Sequence, residues 1–356
     1  MLHTFIAVAV VLGVLIFFHE LGHFLMARWL KVRVLRFSLG FGPKLFGFWR
    51  GGTEYCLSAI PLGGYVKLLG ESPVEPVPPE EIPYSFSHRP LRDRALIVLA
   101  GPLANFILAW FFFVLVFAFQ GKPIYLPEVG KVLPDSPAAE AGLQPGDLII
   151  EVDGQPVSTW QELNRIIRKS EGKPLKMVVK RGDEKIVLTV TPRLREVKNI
   201  FGETIKVPMI GIVAGGKARF EKINPVKALG EALVMVFMMI KLTIVSIIKL
   251  IERVLPLSTL GGPIFIAKLA GEQAQAGVWP LVSFMAILSV NLGVLNLLPI
   301  PMLDGGHLAI YLVEAIIGRP LSPKVKEYAQ QVGLALLILL MVVVFYNDIM
   351  RLIRGG

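Results

Sequence analysis

A single cysteine, Cys56, stands in 356 residues. No disulfide can form within the chain, and a thiolate-rich zinc site is excluded. Charge is scarce as well. Only 18% of residues are charged against 54% hydrophobic, whereas soluble domains carry about 25% charged residues, so composition favours an integral membrane protein. The net charge of +10 is not gathered into the basic face with aromatic or glycine punctuation that nucleic-acid binding uses. Much of it flanks apolar runs, as the cytoplasmic excess of Lys and Arg does in membrane proteins, and nucleic acid is not an expected partner. No Lys or Arg precedes Thr4. No small-residue cleavage site follows the first apolar run, which therefore reads as a retained transmembrane helix and not as a signal peptide.

Four apolar runs approach the ~20 residues that cross hydrocarbon: 4–27, 95–119, 280–298 and 332–346 with extensions on either side. A fifth, 228–251, carries Glu231, Lys241 and Lys249. Lys241 at mid-bilayer would cost about 2.5 kcal/mol or more, so 217–279 is expected to form amphipathic helices and a loop on the membrane surface. The basic residues between the first two spans, Arg28, Lys31, Arg33 and Arg36 among them, put that loop in the cytoplasm. The fold class that follows is an α-helical polytopic membrane protein with about four transmembrane helices, carrying two insertions.

The first insertion covers 31–94. "FSLGFGPKLFGF" and "EYCLSAIPLGGYVKLLG" are β-prone and separated by Gly51-Gly52, which suits a hairpin turn. They predict a membrane-associated β-hairpin, followed by an extended Pro- and Glu-rich linker over 71–83. The second insertion, 120–216, is soluble in composition and alternates like short strands around two helices. Ser136-Pro137 opens one helix, Ser158 is expected to cap a second over 159–169, and a hairpin turns at Gly182-Asp183. "GLQPGDLIIEVDGQPV" resembles PDZ domains, α+β modules that bind peptides by adding a strand to a sheet edge. It would lie outside the cytoplasm.

The chemistry is carried by "FFHELGHF". His19 and His23, four apart on a helix, share a face and can reach one Zn²⁺, with Glu20 beside them as general base. Only five His occur in the chain, and ionisable groups inside an apolar helix are costly and usually functional. A catalytic zinc takes three protein ligands. The third is sought in "NLGVLNLLPIPMLDGGHLAI", where Pro299 and Pro301 break the third span and Gly305-Gly306 give Asp304 freedom of aim. Asp304 is the favoured ligand and His307 its rival. Asn291 and Asn296 could also be helix-packing polar groups.

Together, His19-Glu20-x-x-His23 in a first transmembrane helix, Asn296-x-x-Pro299-x-Pro301-x-x-Asp304-Gly305 later and a PDZ-like insertion resemble the site-two protease family of intramembrane zinc metalloproteases, in its bacterial RseP-like branch. The resemblance runs over nearly the whole chain. It implies His19, His23 and Asp304 as zinc ligands and Glu20 as the catalytic base. It implies Asn291, Asn296, Pro299 and Pro301 as a substrate-handling segment, and Gly63, Gly64 and Tyr65 as part of a hairpin that holds an unwound substrate. The implied partners are pre-trimmed transmembrane proteins, such as anti-sigma factors and signal-peptide remnants, the lipid bilayer, and peptide tails at the PDZ domain. The implied location is the bacterial inner membrane, with the active site toward the cytoplasm and the PDZ domain in the periplasm. One PDZ-like segment is present where that branch commonly has two, which bears on how substrates are filtered. A catalytically inactive PDZ scaffold is the competing reading, and a zinc transporter a weaker one.

Overall fold

In the computed structural model, residues 2–71 and 76–354 are described, apart from the side chains of Leu2, Pro61 and Leu62; 72–75 of the expected linker therefore lie outside the described residues. The chain divides into two compact units. One comprises 1–116, 225–248 and 256–356, the other 117–224 with 249–255.

The first unit opens with α1 (Leu2–Trp29), apolar along almost its whole length. Strands β1 (Val34–Arg50) and β2 (Thr53–Leu68) form the antiparallel hairpin. They meet at Gly51 and Gly52, both at positive φ, as a tight primed turn requires. The strands then bend at Gly40, Gly42 and Gly63, also at positive φ. Residues 36–39 register against 54–57 on one side and 64–67 on the other, while 44–50 register against 53–58. The hairpin thus doubles back into four segments ordered 44–50, 53–58, 34–39, 64–68, with the last as an edge. Glu54 is buried in this sheet and is held by Arg36 Nε at 2.8 Å and Lys44 Nζ at 2.6 Å. A short 3-10 turn (Pro79–Tyr84) leads to α2 (Leu91–Leu115).

The second unit runs through β3 (Lys122–Tyr125), β4 (Val129–Val132), α3 (Pro137–Glu140), β5 (Leu148–Val152), β6 (Gln155–Pro156), α4 (Trp160–Lys169), β7 (Leu175–Arg181), β8 (Glu184–Val190), β9 (Arg193–Lys198), β10 (Thr204–Met209), β11 (Ile212–Ala214) and β12 (Ala218–Glu221). A four-stranded antiparallel sheet has the order β6-β5-β7-β8. Its core is Ile149, Val152, Met177 and Val179, over which α4 lays Leu163 and Ile167. Ser136 caps α3, accepting from Ala139 N–H. The cap of α4 is Thr159 and not Ser158: Thr159 Oγ1 accepts from Glu162 N–H while the Glu162 carboxylate reaches back to Thr159 N–H, a capping box. The two candidates are adjacent hydroxyls, and only the one three residues before a Glu can close that box. Asp147 is buried, and burial pushes its carboxyl up. Two bonds from Arg181, at 2.7 and 2.8 Å, and one from Gln144 N–H outweigh this and hold it below the usual carboxylate range. β3 pairs with β12, so the chain enters and leaves this unit side by side.

The chain then returns to the first unit through α5 (Pro225–Ile251), α6 (Pro263–Ala276), α7 (Val278–Asn296), α8 (Asp304–Ile317) and α9 (Pro323–Ile353). Val11 and Leu15 of α1, Leu108 of α2, Ala270 of α6 and Met285 of α7 form one buried cluster. Asp348 of α9 accepts from the N–H groups of Gly262, Ile264 and Phe265, tying α9 to the start of α6. Among the described residues five helices are long and apolar enough to cross a membrane: α1, α2, α5, α7 and α9. α8 was not expected as a separate helix. Its 14 residues reach about 21 Å, too short to cross, and its apolar sequence reads as a continuation of the run before it.

Candidate metal centre

α1 and α2 pack antiparallel. His23 Nδ1 lies 2.8 Å from Ile97 O and His19 Nδ1 lies 3.1 Å from Asn105 Nδ2. Between these contacts sits Gly101, where a Cβ would stand 2.2 Å from His23 Nε2 and 2.9 Å from His19 Cε1. Every fourth residue of one α2 face thus meets one imidazole or both. The Ile97 carbonyl can only accept, so His23 carries its proton on Nδ1 and turns the lone pair of Nε2 inward.

The two Nε2 atoms lie 3.3 Å apart. Asp304, the first residue of α8, is carried to them by the turn that follows α7. Its Oδ2 is 3.2 Å from His19 Nε2 and its Oδ1 is 3.6 Å from His23 Nε2. Gly305 and Gly306 serve contact more than freedom of aim. A Cβ on either would fall 2.3 Å from a carbonyl oxygen of the preceding turn, Leu297 O or Ile300 O, so glycine is what lets α8 start close enough.

The donor set fits zinc. Two imidazole nitrogens and a carboxylate are an N/N/O set of the catalytic type, and bonds of about 2.0–2.1 Å to a tetrahedral ion separate neighbouring ligand atoms by about 3.4 Å. The observed separations of 3.2, 3.3 and 3.6 Å match. Asp304 Oδ2 is buried without a hydrogen-bond partner, as a ligand oxygen facing a cation position would be. Among the described residues this is the one group of three His, Cys, Asp or Glu close enough to hold a metal. His307, the rival ligand, is outside that group, as are His3 and His88; His88 instead bonds Ser85 and Ser87 in the linker.

The remaining expected site residues are distributed unevenly. Gly64 faces the motif: a Cβ there would lie 3.1 Å from Glu20 Cγ. Gly63 and Tyr65 face the other way. The space beside Gly63 is filled by the Phe41 ring, on which Tyr65 stacks, and Tyr65 OH accepts from Arg36. Asn296 Nδ2 is 3.3 Å from His19 Nε2. Asn291 is turned to α5, its Oδ1 accepting from Thr243 Oγ1 at 2.8 Å. Pro299 and Pro301 sit in the turn between α7 and α8, with Pro301 O packed against Gly333 of α9. Two contact residues escaped sequence reasoning, Asn105 and Thr243. A lone Asn inside an apolar span was the signal for the first; a hydroxyl that can bond its own helix carries no such signal, and Thr243 Oγ1 does bond Met239 O.

Comparison with known proteins places the chain in a family. The sequence model of peptidase family M50 matches residues 7–340. A relative named as a zinc metalloprotease in Mesorhizobium japonicum is 40% identical, with 98% of this chain and 99% of that protein aligned. The regulator of sigma-E protease RseP of Salmonella typhimurium is 34% identical over 97% of this chain and 98% of its own length. The chain belongs to peptidase family M50. It is a metalloprotease of the site-two protease type, its cofactor is zinc, and it is a multi-pass membrane protein. Among solved structures, the PDZ domain of the SdrC-like protein of Listeria innocua aligns with 28% of this chain at 28% identity and a TM-score of 0.21.

Proposed function

We propose that this M50 peptidase hydrolyses peptide bonds inside the transmembrane segments of pre-trimmed membrane proteins, with His19, His23 and Asp304 holding zinc and Glu20 acting as general base. The observation that carries the reading is the meeting of the three ligand atoms inside a helix bundle whose outer surface is apolar, Phe5, Trp29 and Leu339 being well exposed there. Water chemistry so placed has a use when the substrate is itself in the membrane. When bound, zinc supplies Lewis acidity that polarises a carbonyl and makes water nucleophilic near neutral pH. Glu20 takes the proton from the attacking water and delivers it to the leaving amine, so the C–N bond breaks without a free ion in an apolar place. The edge segment 64–68 starts beside Glu20, with Gly64 facing it. A substrate helix that unwinds there recovers as an added strand the hydrogen bonds it lost, which lipid cannot offer. The Asn296 amide stands next to the trio, able to donate to a substrate carbonyl.

Four crossings by α1, α2, α7 and α9 suit this site, with α5 lying against the outer side. α5 begins after β12, which pairs with β3 just beyond α2, and Leu257, six residues past its end, accepts from Asn347 near the end of α9. Along its length α5 packs on the bundle through Thr243, whose hydroxyl donates to Asn291 of α7. The Lys- and Arg-rich turn after α1 favours a cytoplasmic placement of the metal end, in an inner membrane. The sheet β6-β5-β7-β8 with two capped helices supports a single PDZ domain at 120–216, which would receive substrate tails on the opposite side. Anti-sigma factors and signal-peptide remnants are the substrate classes proposed.

The test is Glu20→Gln in the whole protein. It is expected to keep zinc, to slow cleavage of membrane-embedded substrates about 10²–10⁴-fold, and to make uncut single-span proteins accumulate in cells. Equal cleavage by wild type and variant refutes Glu20 as the base. Absence of any membrane-embedded product from either favours the scaffold reading.

A further inference from the structure

We propose that Asn105 is a positioning residue that fixes the tautomer of His19, its side-chain oxygen accepting a hydrogen bond from Nδ1–H so that Nε2 is left as a lone-pair donor. The proposal rests on the reading of His19 as a ligand. Three observations carry it. Asn105 is fully buried in an otherwise apolar stretch of α2, and its amide lies 3.1 Å from His19 Nδ1. Its Oδ1 is buried with no hydrogen-bond partner. The other imidazole already has a carbonyl at Nδ1, that of Ile97, two turns earlier on the same α2 face.

The alternatives are poor. If Asn105 Nδ2 donated to His19 Nδ1, the proton of the neutral ring would move to Nε2. It would then point into the 3.2–3.3 Å space shared with His23 Nε2 and Asp304 Oδ2, where a cation belongs. It would also leave the Asn105 oxygen unsatisfied in a dry interior, which costs the full desolvation of that group. A half-turn of the amide exchanges two atoms of nearly equal size and removes both faults. The oxygen then faces Nδ1–H, giving a ligand, its proton and an acceptor in line, the arrangement that orients metal-bound histidines and raises their basicity. Asn105 is itself held in place: its backbone carbonyl accepts from Ser289 Oγ of α7 at 2.8 Å. One face of α2 thus serves both imidazoles, with a backbone carbonyl for one and a side-chain amide for the other.

The test measures the zinc dissociation constant of the full-length purified protein by competition with a chromogenic chelator. Asn105→Leu keeps the volume but has no acceptor, and about 10–100-fold weaker zinc binding is expected. Asn105→Asp has only acceptors and is expected to restore the wild-type constant, a rescue that a packing role would not produce. His19→Ala is the control for the underlying reading. Wild-type zinc affinity in Asn105→Leu while His19→Ala has lost it overturns the proposal, as does an Asn105→Asp no better than Asn105→Leu. Wild-type affinity in His19→Ala would instead show that His19 is not a ligand. Should Asn105→Leu fail to accumulate, Asn105→Ala takes its place in the comparison with Asn105→Asp.

Discussion

A buried carboxylate of the second unit and that of the metal centre in the first are treated in opposite ways. In the second, Asp147 is fully buried and both of its oxygens are satisfied, by Arg181 and by Gln144 N–H. In the first, Asp304 Oδ2 and Asn105 Oδ1 are buried and unsatisfied within one site. The surfaces are reversed as well. The second unit hides Ile149, Leu163 and Met177, while the first displays Leu339, Phe237 and Trp29. A satisfied buried carboxylate holds a fold together. One left open among nitrogens marks a place where something else must bind.

Breaking the satisfied side of this contrast has the largest expected effect. Arg181→Met strands the Asp147 carboxylate and should lower the melting temperature of the second unit, read by thermal unfolding of the whole protein, with zinc content unchanged. The pH dependence has a definite sign. Because the folded pKa of Asp147 is depressed, its contribution is fully present above the unfolded carboxylate value of about 3.9 and disappears as pH falls through the lower folded value. The gap between wild type and Arg181→Met should therefore be wide at neutral pH and close in strong acid.

The open side is next. Gly101→Ala adds one methyl where His23 Nε2 would be 2.2 Å away, and zinc affinity should fall about 10–100-fold through misaligned imidazoles. The second unit should melt as in wild type. Loss of both properties together would mean that the two units are not independent in this sense. The smallest effect is Thr159→Ala, which removes the α4 cap and should cost about 1 kcal/mol in the second unit alone. Ser158→Ala should be near silent.

Much of this architecture was legible in the sequence because its signals are local. Apolar runs mark α1, α2, α7 and α9, Gly51-Gly52 marks the hairpin turn, and His19 and His23 share a helix face by spacing alone. The approach of Asp304 could be reasoned from the Pro-broken end of α7. What escaped depends on distant partners. The doubling back of β1 and β2 needs the register of 36–39 with two stretches of β2 at once. The start of α8 at Asp304 is masked by apolar residues on both sides. The α2 face of Ile97, Gly101 and Asn105 becomes meaningful only when α1 lies against it, and a backbone carbonyl such as that of Ile97 is invisible in any sequence. Tyr65, grouped with Gly64 by adjacency, faces the opposite side of the sheet because strand side chains alternate.

The central claim is that α1 and the start of α8 share one zinc ion. Its most direct test is the metal content of purified wild type, Asp304→Ala and His307→Ala after identical dialysis. One zinc per chain in wild type and in His307→Ala, with little in Asp304→Ala, is the result this arrangement predicts. Full occupancy in Asp304→Ala, with loss in His307→Ala, would contradict it.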